Sequence, residues 1–119
     1  MGFRNLSSPE DRLKSALTNA ICLAVKRAGG FRVKNPLVNL PYTMEDLRAH
    51  LEKQFLPWMN WENWGSYNSN HKTWQIDHIV PQSSLPFTDV DEPNFVKCWA
   101  LSNLRPLETV ANFRKGNRA

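Results

Sequence analysis

A chain of 119 residues with 41% hydrophobic and 22% charged side chains has the length and composition of one globular domain. Fifteen basic against eleven acidic residues leave a formal charge of +4, a mild bias toward anionic partners. The two cysteines, Cys22 and Cys98, lack Cys-x-x-Cys spacing, which argues against a structural zinc; both read as buried free thiols in a reducing, intracellular setting.

Behind the opening Met1-Gly2-Phe3-Arg4 there is no long apolar stretch, and residues 20–25 are too few to span a bilayer, so no membrane association is expected and the cytoplasm is the expected compartment. Ser8-Pro9-Glu10-Asp11 reads as a helix start, with a capping serine, a first-turn proline and two acids at the positive helix end. Leu13, Ala16, Leu17, Ala20, Ile21, Ala24 and Ala28 then recur at helical spacing until Gly29-Gly30 stops the run. Arg12, Lys14, Lys26 and Arg27 fall mostly off this stripe and read as a solvated face. Residues 31–42, with Pro36 and Pro41, show no period and read as a connector. Thr43 caps a second helix with the stripe Met44, Leu47, Leu51 and Phe55, which Pro57 ends. The tryptophans of residues 58–65 read as core anchors, with stacking on bases as their second use.

Beyond a polar turn, residues 74–81 have the β-branched and aromatic content of a strand that finishes by Pro81. A long polar loop with Pro86 and Pro93 follows, and residues 95–101 suit a short helix turn and a short strand. Pro106 is expected to open a last helix that runs to about Lys115, with Leu107, Val110 and Ala111 facing inward and Gly116 as its stop.

His50 and His71 read as ordinary polar residues without an obvious partner. His78 differs because Asp77 precedes it: a carboxylate is a hard oxygen ligand, and an imidazole is a base near neutral pH. Neighbours on a straight strand point to opposite faces, which suits a phosphate held between a metal and a water-activating base. Asn103 and Asn112 follow in the C-terminal part. There Arg105, Arg114, Lys115 and Arg118 face a single acid, Glu108, so a phosphate backbone is an expected partner of this end.

Three separated blocks carry a family likeness. Trp74-x-Ile76-Asp77-His78-Ile79-x-Pro81, then Cys98-Trp99-Ala100-Leu101-x-Asn103-Leu104-Arg105-Pro106-Leu107, then Asn112-x-x-Lys115-Gly116-Asn117, resemble the HNH endonucleases, in particular small phage and bacterial members. Tyr42-Thr43 and Trp64-Gly65 fit the same likeness. The resemblance implies an α+β fold in which residues 42–119 form a ββα-metal core and residues 1–41 an N-terminal helical extension, packed as one unit. It implies Asp77 and Asn112 as metal ligands, His78 as general base, and Asn103 as the residue that holds the loop and orients His78. Arg105, Arg114, Lys115 and Arg118 would contact nucleic acid.

Asn112 fills a slot where many members have histidine. Carboxylate and amide oxygens suit magnesium or manganese before nickel or zinc. The implied activity is metal-dependent hydrolysis of DNA phosphodiesters, one nick per site, by a monomer or weak dimer in the cytoplasm of a bacterial host. The competing expectations are a DNA-binding module without catalysis and an accessory of phage packaging proteins.

Overall fold

The computed structural model describes residues 8–116; the opening Met1-Gly2-Phe3-Arg4 and the expected phosphate contact Arg118 lie outside them. Ser8 Oγ accepts the Asp11 amide at 3.1 Å, and with Pro9 in the first turn this cap starts α1 (Pro9–Arg27). Leu13, Leu17, Ile21 and Val25 are its buried stripe, and Gly29, at φ +83°, takes the left-handed conformation that ends it. The capping box between Thr43 and Asp46 starts α2 (Met44–Glu52), whose Leu47 and Leu51 are buried. This helix ends before the expected breaker. The amides of Gln54 and Phe55 reach back only three residues, to Leu51 and Glu52, so Phe55 enters the core from a turn and not from the helix.

Trp74 is the hub of an aromatic cluster. Its ring lies 5.1 Å from Phe55, 5.3 Å from Trp61 and 5.6 Å from Trp64, and its Nε1 donates to the Asn60 carbonyl at 2.7 Å. The tryptophan-rich segment is therefore a core anchor, as its composition suggests. One charge read as solvated serves this cluster instead. Arg12 donates to the Trp61 carbonyl at 2.7 Å, and its guanidinium lies 4.8 Å from the Trp64 ring centre.

β1 (Trp74–His78) pairs antiparallel with β2 (Leu104–Glu108), in a register that sets Ile76 against Pro106 and Asp77 against Arg105. Pro106 thus sits within a strand, not at a helix start, and Leu107 belongs to that strand. The register explains why a proline is tolerated. Thr109 N bonds to Thr73 O and Ile79 N to Asn103 O, so the hydrogen-bonded pairs are the odd-numbered residues of β1. Ile76 and Pro106 form a non-hydrogen-bonded pair, where the missing N–H removes nothing. The last helix, α4 (Thr109–Lys115), starts three residues after Pro106, with the Glu108 carboxylate accepting the amides of Val110 and Ala111. Residues 95–101 hold no strand: α3 (Pro93–Cys98) occupies the first part and a 3₁₀ turn, Leu101–Asn103, leads into β2.

Among the described residues the fold is α+β, with four helices and one two-stranded antiparallel sheet. One apolar core joins α1, α2, the aromatic cluster, Phe87, Phe95, Cys98 and Trp99. Cys98 is buried as expected, with burial pushing its thiol up to about 12, whereas Cys22 is only half-buried. No helix among the described residues is long and apolar enough to cross a membrane.

Candidate functional site

Alternation along β1 sends Gln75 and Asp77 to one face of the sheet. That face receives α4. Asn112 Nδ2 lies 3.4 Å from Gln75 Oε1, and one turn later Lys115 Nζ lies 3.3 Å from Asp77 Oδ1. The spacing of three puts Asn112 and Lys115 on one side of the helix, so both meet the strand face that carries Asp77. The Asn112 Oδ1 has no hydrogen-bond partner among the described residues. Asp77, His78 and Asn112 line one cleft of about 220 Å³, together with Gln82, Ser83 and Lys115.

The Asp77 carboxylate is 4% exposed and fully engaged. Arg105, its cross-strand partner, donates to Oδ2 at 2.8 Å, while Lys115 holds Oδ1 and also donates to the His78 carbonyl at 3.0 Å. A buried carboxylate requires compensating charge, and these two cations supply it. Two residues expected to contact nucleic acid therefore already have an acidic partner inside the cleft. Arg114 is exposed on α4 and Arg118 lies outside the described residues.

His78 is 9% exposed, and its ring stands at 90° to Trp99 with centres 4.5 Å apart. Gln82 Nε2, an amide donor, lies 3.4 Å from Nδ1, while Nε2 is buried without a partner among the described residues. This contact favours the tautomer with its lone pair on Nδ1. Burial is the main cause that pushes the imidazole from its ordinary 6.5 down to about 4; the neighbouring Asp77 opposes this and Lys115 reinforces it. His78 is neutral at physiological pH.

That shift has a consequence for stability. The folded value lies below the unfolded one, so on acidification the unfolded chain takes up the proton first. Stability is complete above pH 6.5 and falls as pH drops toward 4. Denaturant titrations are expected to give about 2 kcal/mol less stability at pH 5 than at pH 7, through this group. His78→Gln should remove that component; an unchanged dependence in the variant would assign it elsewhere.

Asn103, 7% exposed, ties down the chain that follows His78. Its Oδ1 accepts the Val80 amide at 2.7 Å, its Nδ2 donates to the carbonyls of Val80 at 3.1 Å and Cys98 at 2.9 Å, and its own carbonyl accepts the Ile79 amide. These bonds hold the loop that follows His78. α2 and the residue before its cap back the same region: Tyr42 donates to the Trp99 carbonyl at 2.6 Å, and His50 Nε2 on α2 lies 2.9 Å from the Leu104 carbonyl. His50, expected to lack a partner, is thus a tether between α2 and β2.

Three residues near the site were given no role from sequence: Gln75, Gln82 and Trp99. Gln75 is two positions before Asp77, and strand alternation alone puts it on the same face. Gln82 and Trp99 lie inside or beside the motif blocks, but only the fold reveals that they meet the His78 ring. Among the described residues, no group of three or more His, Cys, Asp and Glu side chains converges as a metal site would if built from those types alone.

No family model matches the chain, and no solved structure matches it. Over 107 residues, 90% of its length, the chain is 32% identical to uncharacterized protein L426 of Acanthamoeba polyphaga mimivirus. It spans 43% of that relative's length, so a comparable unit there is part of a longer protein.

Proposed function

We propose that the protein is a metal-dependent DNA endonuclease of the HNH type, with β1, β2 and α4 as its ββα core. The observation that carries this reading is the cleft lined by a buried carboxylate, a neutral imidazole and the Asn112 amide, with Asn103 tying down the loop after His78. A divalent ion fits the donor set. Asp77 and the Oδ1 of Asn112, which has no partner among the described residues, are hard oxygens; an ion would share the Asp77 carboxylate with Arg105 and Lys115 or take their place on it. When bound, such an ion would neutralise charge that grows on the phosphate in the transition state.

The chain's own groups account for the rest. His78 Nδ1 takes a proton from the attacking water, which displaces the long Gln82 amide contact from its single lone pair, as the water oxygen bonds to phosphorus; the bond to the 3′ oxygen breaks and that oxygen acquires a proton from solvent. Gln82 orients the imidazole, and the sheet and Asn103 fix its position. The negative substrate raises the imidazole's proton affinity from its depressed value toward the range a general base requires. Arg105 and Lys115, which hold Asp77 in the free protein, are the cations nearest the cleft and would serve as phosphate contacts.

The competing reading is a DNA-binding module without cleavage, and the double ion pair on Asp77 favours it: a carboxylate held by two cations is already satisfied. Supercoiled plasmid separates the two. With magnesium or manganese the nuclease yields relaxed circles, and a chelator abolishes them; binding without relaxation under every metal tested would leave only the module.

A further inference from the structure

From Leu13 to Pro41 the sequence carries Lys14, Lys26, Arg27, Arg32 and Lys34 and no acidic residue. The fold gathers the last four around the end of α1 and the start of the connector, all of them exposed. Among the described residues none of the four side chains has an ion-pair or hydrogen-bond partner. Phe31 stands among them with 92% of its surface exposed. The turn that presents these residues is held closely: a Cβ at Gly30 would collide with the Thr88 carbonyl and with Val25. Lys26 and Arg27 also complement the negative end of α1. That role does not extend to Arg32, Lys34 or an exposed phenylalanine.

Two grooves flank this corner. One, of about 430 Å³, is lined by Lys26, Phe31, Arg32 and Lys34. The other, also about 430 Å³, runs from Arg27 to Gln82 and Ser83. Gln82 and Ser83 line the cleft of Asp77 and His78 as well. The surface therefore runs from that cleft, past Gln82 and Ser83, to Arg27 and across the end of α1 to the basic corner.

We propose that this surface is a second contact for duplex DNA, along which the phosphate backbone runs away from the cleft, with Phe31 packed against the sugars. The choice of DNA rests on the nuclease reading; the existence of a polyanion track rests on the cluster of basic side chains without partners among the described residues and on the two grooves that meet at the end of α1, where Lys26 lines one and Arg27 the other. Phosphate contacts of this kind position a duplex without reading its sequence.

The test is fluorescence anisotropy with a labelled short duplex in chelator, so that cleavage plays no part. Replacing Lys26, Arg32 and Lys34 together with Ala is expected to weaken binding at least ~10-fold near physiological salt and to reduce the salt slope by roughly 0.9 for each phosphate that is no longer neutralised. The weakening should be equal for unrelated sequences. Lys53→Ala with Lys97→Ala serves as a control for charge removed elsewhere and should have little effect. Phe31→Ala should weaken binding with the slope unchanged. Equal affinity and slope for parent and triple variant would overturn the track, as would stronger binding of anionic phospholipid vesicles than of duplex. A triple variant that binds weakly while the parent fails to nick plasmid would retain the track and reject the nuclease.

Discussion

His78→Ala is expected to lower plasmid nicking by ~10²–10⁴-fold, the usual worth of a general base, while binding of uncut duplex in chelator stays within a factor of two or so of the parent. The argument is geometric first. Nδ1 is beside the amide of Gln82, a residue that lines the cleft, whereas the other ring nitrogen is buried. Only one nitrogen is therefore placed to accept a proton from water in the cleft. In the free protein the imidazole is neutral because burial has pushed it down to about 4, so the base enters the reaction unprotonated. Stability is not expected to collapse with the substitution: alanine leaves a cavity against Trp99 but also removes a buried nitrogen that lacks a partner. Thermal melts of the two proteins then separate loss of chemistry from loss of fold. Nicking by the variant at the parent's rate would end the assignment of His78 as the base, whatever else the cleft does.

Much of the helical scaffold is written locally. Ser8 with Pro9, and Thr43 with Asp46, announce helix starts because a cap is a contact over three residues, and Gly29 announces a stop because the left-handed conformation suits glycine. Pro106 misleads for the opposite reason. Taken alone it suits a helix's first turn, but whether a strand can hold a proline depends on which pairs bond to the neighbouring strand, a property of register. The site divides along the same line. Asp77, His78, Asn103 and Asn112 stand out in the sequence through their motif blocks. That Arg105 and Lys115 are drawn to Asp77 is a consequence of strand pairing and helix docking. Arg12 and His50 are the same kind of case. Each looks like a surface residue in its own helix, and each finds a partner more than forty residues away that no periodicity can name.

Asn103→Ala is expected to reduce nicking by about 10²-fold with little change in duplex affinity, and to destabilise the fold by roughly 2–3 kcal/mol. Its side chain makes three hydrogen bonds, two to Val80 and one to the buried Cys98 carbonyl. Val80 is exposed, so water can replace its two bonds; the Cys98 carbonyl is left without a partner, and most of the stability loss belongs to it. The kinetic loss has a different origin. Gln82 and Ser83 follow Val80 by two and three residues, so releasing Val80 frees the loop that orients the imidazole and lines the cleft. A displacement near 1 Å is enough for a loss of this size. Asn103→Asp separates positioning from mere packing. Its carboxylate keeps the acceptor for the Val80 amide but sets an oxygen against two carbonyls that need donors. It should therefore be no more stable than the alanine variant near neutral pH and should recover stability on acidification as the carboxyl gains a proton. If Asn103→Ala instead lost stability while its kcat stayed at the parent's value under conditions where both are folded, Asn103 would be a structural tie with no hold on the imidazole.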